Sequence, residues 1–180
     1  MIEVQDQQQL GRAMNAVQEF LVHKLLFPKV YIDADWNGKK VDVLAIDRSG
    51  SGDVHAVRMV YRGPGRYIED GVMVELARKV HDSVIDFKSY QSHFRYVAVV
   101  NDEPDTRVFK QGDETTFETL AKDGVGRIGI LYVDLTEEDP KFQVRVILRA
   151  ERFRNSKELV EMADQFVASH TANWEFREEL

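Results

Sequence analysis

Apolar residues recur at helical spacing from Leu10 through Met14, Val17 and Leu21 to Leu25, and Asp6 with Gln9 makes a capping-box pattern ahead of them. This predicts a first helix that runs until Pro28. The period then shortens to two. Val30 to Trp36 reads as a strand, Asn37-Gly38 is the dipeptide that favours a tight hairpin turn, and Lys40 to Asp47 reads as the returning strand. RSGSGD connects it to a third strand, Val54 to Tyr61, after which the glycines and proline of RGPGR interrupt the pattern.

Helical spacing returns at Val72, Leu76, Val80, Val84 and Phe87. The run Phe94 to Val100 (FRYVAVV) is then apolar enough to be a strand buried on both faces. A polar loop leads to a short helix near Thr116 to Lys122 and to strands at Arg127 to Asp134 and Phe142 to Ala150. Ser156 caps a last helix carrying Leu159, Ala163, Phe166 and Val167. The predicted order is α-β-β-β-α-β, then α-β-β-α. No internal repeat or low-complexity tract interrupts it.

At 180 residues, with 43% hydrophobic and 31% charged residues, the chain suits one globular domain. No segment has the length and apolarity of a membrane span, and MIEVQDQQQL lacks the order of a secretory signal. The absence of cysteine removes disulfides and thiolate metal sites. A cytoplasmic protein without membrane association is the expectation. The net charge of −7 argues against a protein that coats nucleic acid non-specifically. Residues 1 to 100 hold 13 basic and 13 acidic side chains, however, so the excess of acid lies in the remainder and a locally basic surface is compatible with the first part.

The opening order, with Asp42 early in the second strand, resembles the restriction-endonuclease-like, or PD-(D/E)XK nuclease, superfamily. The resemblance covers about residues 6 to 101, leaving about 114 to 170 as an extension of the same domain. It implies an α/β fold with a mixed sheet flanked by helices. It also implies an acid on the first helix, matched by Glu19 in NAVQEFLVHKLL, and an acid on the second strand, matched by Asp42 in KKVDVLAID. The third strand should then supply an acid, one residue, and a lysine. GDVHAVRMV instead places Arg58 and Val60 there, and sliding by one or two residues recovers no acid. Hard carboxylate oxygens hold the divalent ion in such sites and the lysine helps activate water. A guanidinium cannot ligate a metal. The resemblance therefore implies a vestigial catalytic site of Glu19, Asp42 and Arg58.

Strand alternation groups Asp42 with Leu44 and Ile46, and Arg58 with Val54, Ala56 and Val60. A register pairing Asp47 with Asp53 also sets residue 42 opposite 58, because both sums equal 100. Two readings follow. Either Asp42 and Arg58 form an ion pair where active relatives hold a metal, or each reaches separately to solvent.

Arg62 and Arg66, between the tyrosines of YRGPGRY, are the candidate nucleic-acid contacts, weighed against an ordinary turn. Glu75 and Lys79 stand four apart on the second predicted helix, either as migrated catalytic residues or as a surface pair. Arg145, Arg149, Arg152 and Arg154 suggest a binding stripe or a solvated face, and the five histidines show no metal-binding spacing. The leading expectation is a non-catalytic, cofactor-free binding or assembly module associated with nucleic acid, with a homo-oligomer as a further partner. Its rivals are a Mg²⁺-dependent nuclease with migrated residues and a protein-association module without nucleic acid.

Overall fold

The computed structural model describes residues 4–24, 29–47, 52–61, 78–83, 86, 90–102, 128–153 and 157–175. Within the helix α1 (Val4–His23), the residues turned to the core are Ala13, Ala16, Val17, Leu21 and Val22. Two alanines in that stripe let the helix backbone lie close to the sheet. Leu10 and Met14 are only half-buried on its flank, and Asp6 lies inside the helix rather than capping it.

The strands β1 (Lys29–Trp36) and β2 (Lys39–Ile46) form the predicted hairpin. At its turn Asn37 and Gly38 have φ of 52° and 75°, the two left-handed residues that a tight hairpin of this hand requires. β3 (Val54–Tyr61) pairs antiparallel with β2, with Val43 opposite Val57 and Ile46 opposite Val54. These pairs obey the register inferred from sequence. The Asp47 N–H donates to the Asp53 carbonyl at 2.9 Å beyond them.

From β3 the chain crosses to β4 (Phe94–Asn101), and β5 (Gly129–Asp134) lies on its far side, both junctions parallel. Arg78 to Ser83 are helical within that first crossover. β4 is thus central. Val97, Ala98, Val99 and Val100 are all fully buried, as a strand covered on both faces demands. β6 (Val144–Leu148) pairs antiparallel with β5 and starts later than the sequence suggests. Pro140 to Phe142 form a 3₁₀ turn, in which the Asp139 side chain accepts the Lys141 N–H at 3.0 Å and proline fixes the first φ.

Helix α2 (Lys157–Ser169) buries Leu159, Ala163, Phe166 and Val167, the four residues its sequence spacing selects. Trp174 and Glu175 then form β7, a two-residue strand that pairs antiparallel with Val30 and Lys29. The completed mixed sheet has the order β6-β5-β4-β3-β2-β1-β7, with six principal strands and this short edge. One core cluster lies under α1 and includes Val43, Ala45, Val57, Ala98 and Leu131. The other lies under α2 and Val80 and includes Trp36, Leu44, Ala56, Val97 and Ile130. No helix among the described residues is long and apolar enough to cross a membrane. The short helix expected near Thr116 to Lys122, and the tail beyond Glu175, lie outside the described residues.

Candidate functional site

The side-chain alternation of the β1–β2 hairpin breaks at Asp42. Val41 packs in the α2-side cluster together with Leu44 and Ile46, although strict alternation would turn it the other way, beside Val43. β1 breaks at the same level, with Tyr31, Ala34 and Trp36 sharing the α2 side. Asp33, which the flanking pairs set opposite Asp42, has φ of 51°, a left-handed conformation that re-aims the strand at a non-glycine residue. Both strands therefore switch faces across a pair of acids.

The last β2–β3 backbone pair is Val43 with Val57, and beyond it a side chain takes over. Asp42 Oδ2 accepts the Met59 N–H at 2.6 Å. Burial pushes the Asp42 carboxyl up from its ordinary pKa, while the Met59 N–H and the nearby Arg58 charge pull it down and Asp33 pushes it up again. The carboxylate thus caps an otherwise unpaired strand donor at the point where the hairpin splays from β3.

Arg58 lies near Asp42 but is not its ion-pair partner. Its Nη1 pairs with Asp86 Oδ2, on the helical side of the crossover, and the pair is partly exposed. The direct ion pair inferred from the register does not form, because the face switch lets Asp42 reach the β3 backbone while the long guanidinium extends to Asp86. Beside them the Tyr90 hydroxyl donates to the Lys40 carbonyl at 2.7 Å, and Lys40 Nζ stands 3.6 Å from Asp33. The group comprises a backbone-capping acid, an arginine paired to a second acid, and a tyrosine.

Glu19 is on the other side of the sheet. It belongs to α1, it is exposed, and its Oε2 is 2.9 Å from His23 Nε2. The structure therefore joins Asp42 and Arg58 in one neighbourhood and leaves Glu19 outside it. Arg62, Arg66 and Glu75 lie outside the described residues, and Lys79 is half-buried. Of the arginine stripe, Arg145 lies over the Tyr132 ring at 4.9 Å and Arg152 is engaged by an acid, while Arg154 is outside the described residues. Among the described residues no group of three His, Asp or Glu side chains is arranged to hold a metal ion.

A second constellation escaped sequence reasoning. Of the seven buried polar or charged residues described, Asp53, His55, Ser92, His93 and Arg95 gather where β3 and β4 begin. Arg152 grips Asp53 with two nitrogens, at 2.6 and 2.7 Å. His93 Nδ1 accepts the Val54 N–H at 2.9 Å, so its proton resides on Nε2, and the Phe153 N–H donates to the His93 carbonyl at 2.7 Å. His55 stacks on Phe94 at 4.6 Å, and Arg95 lies 3.7 Å over the Phe153 ring. Burial pushes the His55 imidazole down to about 4, with Asp53 opposing, and lowers His93 for the same reason. The signal in the sequence was polar residues at strand starts, in GDVH and SHFR, where apolar ones are the rule. The cluster staples the segment after β6 onto the sheet.

No family model matches the chain, and no curated protein matches it. Among solved structures, the chain is similar to a Silicibacter pomeroyi protein of unknown function at 13% sequence identity and a TM-score of 0.48, with 90% of this chain and 86% of that one covered.

Proposed function

We propose that the chain is a restriction-endonuclease-like protein that has lost catalysis and serves as a nucleic-acid-associated binding or assembly module. The order of one helix, a three-stranded antiparallel meander, a helical crossover and a parallel fourth strand supports the fold half of this reading. The observation that carries the other half is Arg58. It stands on β3 where a metal-binding acid is needed, with its guanidinium held by Asp86. Asp42 supports the same reading, because its Oδ2 is committed to the Met59 N–H.

Calorimetry with Mg²⁺ and Mn²⁺, run beside a plasmid-cleavage assay, is the test. The expected result is neither binding heat nor cleavage. Cleavage abolished by Asp42→Ala would overturn the proposal and favour a nuclease with migrated residues. The partner class is read from a salt titration of DNA and RNA affinity, since phosphate contacts weaken steeply as salt rises. Absence of binding at low salt leaves protein association as the function of the module.

A further inference from the structure

A pocket of about 340 Å³ opens between the end of α1 and the 3₁₀ turn before β6, lined by Glu19, Phe20, His23, Lys24, Pro140 and Lys141. Its apolar floor comes from Phe20, which packs on the cluster under α1, and from Pro140. Its rim carries two lysines and one acid, a net charge of +1 with His23 neutral. Glu19 Oε2 lies 2.9 Å from His23 Nε2, whereas neither Lys24 nor Lys141 has an ion-pair partner among the described residues. That sign is opposite to the net charge of −7 on the whole chain.

We propose that this pocket binds a small amphipathic anion, with an apolar body on Phe20 and Pro140 and a single carboxylate or phosphate head between Lys24 and Lys141. The volume suits a small molecule. A polynucleotide fits the site less well, because two lysines neutralise few phosphates and an apolar floor adds nothing to backbone contacts. Another pocket among the described residues, about 430 Å³ between the β1–β2 turn and α2, presents the acid Asp35 and no lysine or arginine. There the Ser169 hydroxyl donates back to its own helix at the Gln165 carbonyl, and the His170 ring stacks on Phe166 at 3.9 Å. The α1-side pocket is on the face opposite Asp42, so the proposal stands or falls independently of the lost-nuclease reading.

The probe is 1-anilinonaphthalene-8-sulfonate, titrated by fluorescence into the native full chain, with octanoate and phenyl phosphate as competitors. We expect saturable enhancement, displacement by at least one competitor, and binding about tenfold weaker when Lys24→Glu and Lys141→Glu are combined. Octanoate alone displacing the probe assigns a carboxylate head, and phenyl phosphate alone assigns a phosphate head. The uncharged analogue N-phenyl-1-naphthylamine should bind about tenfold more weakly than the anion, because it keeps the apolar body and lacks the charge. Lys141→Gln, a milder surface change, should weaken binding by a smaller factor with an unaltered circular-dichroism melt. No enhancement, displacement by neither competitor, or equal affinity in the charge-reversed chain would overturn the proposal.

Discussion

Asp42 joins two properties that are usually separate in a carboxylate: burial opposes its charge, and yet its oxygen completes a backbone hydrogen bond. Asn in its place keeps an acceptor and removes the buried charge. Asp42→Asn should therefore unfold in urea at pH 7 within about 1 kcal/mol of the wild type, whereas Asp42→Ala leaves the Met59 N–H unpaired and should cost about 1 to 3 kcal/mol. The sign of the pH effect agrees. A carboxyl raised in the folded state destabilises when ionised, fully above its folded pKa, and that cost is relieved as pH falls through the folded pKa. A large loss in the Asn variant would show that the negative charge itself is needed. Arg58 and Asp86, being partly exposed, should contribute no more than about 1 kcal/mol as a pair.

The elements were legible wherever their period was unbroken. Asn37-Gly38 announced the hairpin, pairing Asp47 with Asp53 across RSGSG set the β2–β3 register, and VAVV marked the central strand. What remained hidden depended on single backbone angles or distant contacts. A left-handed Asp33 cannot be read from composition, and opposite it Asp42 leaves the row where it would have met Arg58 while Val41 turns to the α2 side. β7 is too short to carry a period, and the Asp53–Arg152 grip joins residues 99 positions apart. The candidate site was thus half legible: Asp42 and Arg58 were named, Asp86 and Tyr90 were not, and the ion pair expected between the first two does not form. A further consequence at this scale concerns β5, where a Cβ added at Gly129 would lie 2.5 Å from Tyr96 Cδ1 and 2.7 Å from the Ala150 backbone nitrogen. The ring has little room and the backbone cannot rotate away. Gly129→Ala should cost about 1 to 3 kcal/mol in urea unfolding, and a neutral effect would mean that the segment after β6 sits further off.

Across the whole molecule, acid should act first at the end of the sheet where β3 and β4 begin. The His55 pKa is lowered from 6.5 to about 4, so the native state resists a proton that the unfolded chain accepts. Its contribution is complete above pH 6.5 and is lost as pH falls toward 4, up to about 3 kcal/mol, with His93 acting in the same direction. Urea midpoints measured between pH 7 and 4 should fall along that slope, and His55→Gln should flatten it. A midpoint independent of pH over this interval would contradict the burial of both rings. At the opposite margin of the sheet, Asn173 Oδ1 accepts the Ile32 N–H at 2.7 Å and β7 pairs with Lys29 and Val30 at the start of β1. During translation those residues emerge after every other strand of the sheet. Until they do, the start of the hairpin that carries Asp33 and Asp42 keeps one unpaired backbone edge. The small latch at residues 173–175 therefore closes an edge that would otherwise present free backbone donors and acceptors to another chain.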